Sequence, residues 1–232
     1  MTHPVSTQWL DLPEAGSAYL ALPPGGRGPG LLLLQEIFGV NAHVRAVAEQ
    51  YALAGFVVLA PDVFWRGAPR IELGYEGDDR QRGIALAGTL KPETLIPDLQ
   101  AWVAALRRRT EVDGHKVGAI GYCLGGRLAY LAAAQTGVDA AVAYYGGGIH
   151  NQLALVPQIN CPMLFHYAGQ DDNIPLAAVQ AVREAFADMP AQVLEYPGTH
   201  HGFNCWARSS YNPPAAALAL GRSLQFLAEE LF

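Results

Sequence analysis

GAIGYCLGGRL, residues 118–128, decides how the rest of the chain is read. The apolar run 117–120 stops at Gly121 and a helical pattern opens at Gly126. Gly121-Tyr122-Cys123-Leu124-Gly125 therefore occupies a strand–turn–helix junction, the setting that a Gly-x-nucleophile-x-Gly turn requires. The glycines have a mechanical reason. The turn is so sharp that side chains flanking it would strike the strand and the helix, while the nucleophile is held in strained backbone with its side chain exposed. At the start of the helix, free N–H groups and the helix dipole favour negative charge on sulfur or on an oxyanion. An isolated cysteine would read as a small buried hydrophobe. The flanking glycines and the junction favour a nucleophile instead.

Outward from this turn, short non-alternating apolar runs recur at 31–34, 57–60, 140–144, 163–167 and 193–196. Such runs suit parallel strands covered on both faces. Helical patterns at 42–54, 95–109, 126–134, 176–187 and 214–231 alternate with them, and the alternation predicts an α/β chain with a mostly parallel, doubly wound sheet. Two apolar segments near Trp9 and Tyr19 predict a hairpin ahead of the Pro/Gly-rich loop PPGGRGPG. Residues 66–92 break the rhythm: this long connection, rich in glycine and charge, follows a strand's C-terminal end, where long connections border sites. No internal repeat or domain linker divides the chain, so residues 1–232 are expected to form a single domain.

Composition narrows the function. With 51% hydrophobic residues, 16% charged residues and a net charge of −6, the chain suits a globular enzyme and lacks the basic tract that nucleic acid demands. The arginine run 107–109 falls where a helix should end, a favourable place for cations. No apolar run approaches the roughly 18 residues of a membrane span. The opening segment MTHPVSTQWLDLPEAG has neither a basic start nor an apolar signal core, which makes cytoplasmic residence the default expectation. Three cysteines at irregular spacing argue for reduced thiols rather than a disulfide framework. Packing is the expected role of Cys161 and Cys205.

A nucleophile on such a turn needs a base and an orienting acid, which follow it in the chain order nucleophile, Asp/Glu, His. FHYAGQDDNIP offers Asp171 and Asp172, and YPGTHHGF offers His200 and His201, each pair in a loop after an apolar strand. Helix capping is the plain alternative for the aspartates. A metal site built from His200, His201, Cys205 and a carboxylate matches no familiar ligand spacing, so no metal or cofactor is expected.

Several motifs now stand in order: QEIFGVN, APDVFWR, GYCLGG, YYGGG, GQDDNIP and HGF. Together, from about Leu31 to Leu231, they resemble the dienelactone hydrolase (carboxymethylenebutenolidase) family, whose members degrade aromatic compounds. The resemblance implies an α/β-hydrolase fold with Cys123 as nucleophile, His201 as base and Asp171 as orienting acid. It also implies an oxyanion hole from the backbone N–H groups of Ile37 and Leu124, and Glu36 beside the thiol. Arg82 matches the family's arginine for the substrate carboxylate, with Arg80 as the nearby competitor. Arg208 and Tyr145 complete the implied substrate contacts. Where dienelactone-cleaving members carry aromatic side chains after that arginine, this chain has Leu86 and Thr89.

The chemistry of the thiol leads in the same direction. A thiolate is a good leaving group, so its adduct reverts unless the departing group is comparably stable; enol esters and enol lactones satisfy this, whereas amides and simple alkyl esters do not. A carboxylate at Glu36 disfavours thiolate by like-charge repulsion. An anionic substrate pairing with Arg82 would then disturb Glu36 and release the nucleophile. The expected partner is accordingly a small lactone or ester acting on a monomer. The competing readings are a general thiol esterase or thioesterase of the same fold, and a catalytically silent binding protein.

Overall fold

In the computed structural model, which describes residues 4–112 and 114–232, eight strands hydrogen-bond into one sheet. The first three residues of the opening segment and Asp113 lie outside the described residues. Strands β1 (Ser6–Leu12) and β2 (Gly16–Leu22) form the expected hairpin, paired from Ser6–Leu22 to Leu12–Gly16. The rest of the chain alternates: β3 (Gly30–Leu34), α1 (Ala42–Leu53), β4 (Val57–Pro61), α2 (Gly77–Gly88), α3 (Pro92–Arg107), β5 (Val117–Tyr122) and α4 (Leu124–Gln135). It continues through β6 (Ala140–Tyr144), two short 3-10 helices, β7 (Met163–Ala168), α5 (Leu176–Ala185), β8 (Ala191–Tyr196) and α6 (Pro213–Leu231).

Every residue of β3, β4, β5, β6 and β7 is buried, which is why these strands read as unbroken apolar runs. The strand order is β1-β2-β4-β3-β5-β6-β7-β8, with β2 antiparallel to β4 and every pair from β4 to β8 parallel. The chain leaves β3 for β4 on one side and returns to β5 on the other, so its winding reverses there. Loops leaving β3 and β5 thus diverge at their carboxyl ends and open a crevice between them.

Two elements differ from the sequence reading. Residues 66–92 are not irregular throughout, because Gly77–Gly88 forms α2. Only Gly83 of that helix is buried, so it carries no apolar face for periodicity to reveal. Helix α3 begins at Pro92, three residues before the first apolar position, since proline's fixed φ suits the first turn of a helix.

One polar cluster bolts the far half of the sheet to α6. Fully buried His166 of β7 places Nδ1 2.8 Å from Tyr196 Oη on β8 and Nε2 2.9 Å from Ser223 Oγ on α6. Ser223 Oγ lies 2.7 Å from Tyr144 Oη on β6. Burial pushes the imidazole down to about 3, so it is neutral, and its two nitrogens hold β7, β8 and α6 together just below the loops that carry Asp171 and His201.

Candidate active site

Cys123 stands between β5 and α4 with φ 56° and ψ −114°, a conformation that side chains avoid unless the surroundings enforce it. The surroundings do. Its N–H donates to Tyr144 O at 3.0 Å, and Gly126 N–H returns to Cys123 O at 3.0 Å. A Cβ on Gly121 would lie 2.0 Å from Gly125 O, one on Gly125 2.0 Å from Leu34 O, and one on Gly126 2.4 Å from Tyr144 O. Three backbones thus meet where only hydrogen fits, and the thiol is left partly exposed at the N-terminus of α4. Helix α4 starts at Leu124, so the first-turn N–H groups adjoin the sulfur.

Loops from the carboxyl ends of β7 and β8 bring the candidate acid and base to the same edge. His201 Nδ1 lies 2.8 Å from Asp171 Oδ2, and His201 also hydrogen-bonds with the Cys123 thiol. Burial opposes charge on the imidazole, but the hydrogen bonds and charges of Asp171 and Cys123 outweigh it, and His201 is pushed up to about 10. Asp171 Oδ1 accepts from Asn173 N–H at 2.8 Å, which fixes the carboxylate within its own turn. Asp172 and His200, the alternatives at the sequence level, are exposed, and Cys205 is buried, hydrogen-bonded to Tyr75 and pushed up to about 11 by burial. Among the described residues no three His, Cys, Asp or Glu side chains are arranged to hold a metal ion.

The loop after β3 carries Glu36 and Ile37. Gln35 staples it, donating to Glu36 O at 3.2 Å and accepting from Val63 N–H at 3.2 Å. Glu36, 2% exposed, accepts from Arg208 Nη1 at 3.1 Å through Oε1, while Oε2 is buried with no hydrogen-bond partner. Burial raises its pKa against the opposing pull of Arg208. The cation on Glu36 is thus Arg208. Arg208 reaches it across Gly202, whose φ of +81° and missing side chain leave room: a Cβ there would lie 2.4 Å from Arg208 Nη1. That is the local reason for glycine in HGF.

A cavity of about 350 Å³ opens over Cys123 and His201, walled by Ile37, Phe38 and Leu124 on one side and by α2 on the other. Arg80, Ile84 and Ala87 of α2 line it, at the i, i+4 and i+7 spacing of one helical face. Arg82 does not line it. Two residues from Arg80, it falls on another side of α2 and is exposed. The same shift moves attention from Leu86 and Thr89, which line a separate small cleft, to Ile84 and Ala87, which are also non-aromatic. Tyr145 is likewise not on the cavity wall. It is fully buried with φ 36°, its ring 5.0 Å from that of His201 and 5.6 Å from that of Phe203, and it backs the imidazole rather than facing a ligand. The charged side chains on the wall are Arg80, Arg127, Arg208 and His201, with no carboxylate among them. Arg127 stands inside the opening stretch, directly after GYCLGG, but the turn motif assigns no role to that position.

The family model described as "Dienelactone hydrolase family" matches residues 17–231. A carboxymethylenebutenolidase of Pseudomonas putida is 39% identical over 98% of this chain and 97% of its own length. One from Pseudomonas sp. strain P51 is 36% identical over 90% of this chain and 88% of its own. The crystal structure of a candidate dienelactone hydrolase from Klebsiella pneumoniae superposes with a TM-score of 0.85 at 28% identity, covering 97% of this chain and 98% of that one.

Proposed function

Since the chain belongs to the dienelactone hydrolase family and is a carboxylic ester hydrolase, we propose that it cleaves a carboxylate-bearing enol lactone or similarly activated ester through a thioacyl intermediate on Cys123. The observation that carries this reading is the cavity wall: a thiol and an imidazole sit among three arginines and no carboxylate. Such a wall favours an anionic ligand.

In this reading Cys123 Sγ attacks the ester carbonyl, and the oxyanion is held by the N–H groups of Ile37 and Leu124. The C–O bond breaks, the enolate leaves and takes the proton held by His201, and the resulting enol relaxes to its keto form. Water, deprotonated by His201, then attacks the thioester and expels the thiolate. Asp171 keeps His201 Nδ1–H pointing away from the sulfur, so that Nε2 does the proton transfer. The unpartnered Oε2 of Glu36 and the raised pKa of that carboxyl suit it to hold a proton near the thiol. A substrate carboxylate seated on Arg80 and drawing on Arg208 across the same cavity weakens the pairing of Arg208 with Glu36 and so couples binding to activation of the nucleophile.

Ile84 and Ala87 favour a second reading, a general thiol esterase, because they leave the α2 wall aliphatic where an aromatic contact is expected for dienelactone. The ratio of kcat/KM for a carboxylate-bearing enol lactone to that for a neutral aryl ester separates the two, with Cys123→Ala as the blank. A ratio above about 100 that vanishes in the variant is expected, since an ion pair inside a cavity contributes a factor of that order. Comparable values for the two substrates would establish the general esterase.

A further inference from the structure

We propose that Arg127 binds a second anionic group of the substrate, so that the preferred ester carries two carboxylates or equivalent anions. The proposal rests on the ester-hydrolase reading above and deepens it. Arg127 sits on α4 one turn beyond Cys123, lines the same cavity and is only partly exposed. Among the described residues its guanidinium has no ion pair and no hydrogen bond.

Its position is electrostatically unfavourable for the fold. A cation in the first turn of a helix lies against the positive end of the helix dipole, and α4 has no acidic residue in that turn to offset it. The loop after β6 makes room for it. Gly148, at φ +85°, would place a Cβ 3.4 Å from Arg127 Nη1. A charge kept where the helix disfavours it, unpaired and beside the nucleophile, has its counter-ion in the ligand.

Charge counting on the wall leads to a dianion. Arg208 already pairs with Glu36 and is shared with that carboxylate, whereas neither Arg80 nor Arg127 makes an ion pair among the described residues. Arg80 projects from α2 and Arg127 from α4, so they approach the cavity from two elements and are suited to two separate anionic groups rather than to one. There is also space for the longer molecule. A second cavity of about 290 Å³ shares Arg127 with the first, and it is lined by Leu95, Leu131 and Gln152, whose Oε1 is buried with no hydrogen-bond partner. Arg127 thus borders free space on both sides, which leaves room for its guanidinium to meet a ligand group.

The test compares an enol lactone bearing one carboxylate with the same lactone bearing a second, as kcat/KM in the wild type, Arg127→Leu and Arg127→Lys. The wild type should prefer the dianion by about tenfold or more, the preference should fall to near unity in Arg127→Leu, and Arg127→Lys should keep part of it, since one charge-assisted pair is at stake. A wild type that does not discriminate, or a preference that survives in Arg127→Leu, overturns the proposal. If neither lactone shows turnover that depends on Cys123, the reading beneath it fails instead. Calorimetric binding of a saturated dicarboxylate against its monocarboxylate, in Cys123→Ala with and without Arg127→Leu, then still decides the role of Arg127. Thermal unfolding of each variant identifies one that has not folded, and Arg127→Lys carries the comparison in that case.

Discussion

The turn around Cys123 and helix α2 face each other across one cavity, yet the chain constrains them very differently. At the turn, Gly121, Gly125 and Gly126 are each met by backbone within 2.4 Å of where a Cβ would sit, and strands behind them are wholly buried. On α2, Gly77 and Gly88 have nothing within 4 Å of that position, and Gly83 alone is buried, against Ile37 O. The turn, which carries the chemistry in the proposed reading, is over-determined by packing. In the proposed reading the helix carries side chains that meet the substrate, and it is held more lightly, by buried Gly83 and the partly buried Leu86 and Ala87. Groups that must keep fixed geometry through a reaction are supported from several sides, while those that choose among ligands are placed on a scaffold that tolerates exchange.

The largest expected effect sharpens the rigid side. Asp171→Asn should lower kcat/KM on the order of 10⁴-fold, because the amide favours the wrong imidazole tautomer while leaving the fold intact. The same change should move the titration of His201, followed by NMR, down from about 10, since a partner of the cation is lost. The sign for stability follows. A folded-state pKa raised above the ordinary 6.5 stabilises the protein fully below that value, and the contribution disappears as pH climbs through about 10. The stability gap between the wild type and Asp171→Asn should therefore narrow over that window, as read by urea unfolding at a series of pH values. A wild-type His201 that titrates at its ordinary value would break the contrast at its centre. Next in size, Gly125→Ala should cost about 3 kcal/mol or abolish folding, because its methyl would overlap Leu34 O and neither backbone can yield.

The same contrast explains what could be read beforehand. The turn was legible because its constraint is written in residue types: glycine where only hydrogen fits, then an apolar run on one side and a helix on the other. The parallel strands were legible for a similar reason, since burial on both faces removes alternation. Helix α2 was not, because an exposed helix without an apolar face leaves no period in the sequence. Arg82 came from the resemblance with Arg80 as its competitor, and without the helix there was no phase to show that Arg80 is the one sharing a face with Ile84 and Ala87. Arg127 was visible four residues after Cys123, but its lack of a partner, on which its meaning depends, leaves no mark in the sequence. The pairing of Glu36 with Arg208 joins residues 172 positions apart and depends on the turn at Gly202. Nothing in the sequence around His166 marks Tyr196 and Ser223, 30 and 57 residues away, as the partners of its two nitrogens.

On the tolerant side, Arg80→Leu should raise KM for a carboxylate-bearing ester about tenfold with little change in kcat, the pattern of a lost binding contact. Arg82→Leu should leave both unchanged, because that side chain is outside the cavity. Equal losses in the two variants would mean that the field of the whole helix, not one face of it, attracts the substrate, and salt dependence would then be steep for both.

The smallest effect bears most directly on whether α2 is held loosely. Gly88 is the last residue of the helix, with φ outside the left-handed region and open space around its Cα. Alanine there restricts the unfolded chain and favours the helix, so Gly88→Ala should stabilise the protein by about 0.5 kcal/mol in urea unfolding. Because Gly88 is absent from the cavity wall, kcat/KM should stay the same. If activity falls while stability rises, α2 must move during turnover and its looseness is part of the catalytic cycle. If neither changes, the end of the helix is frayed and the cavity wall is fixed by Gly83 and the first turns alone.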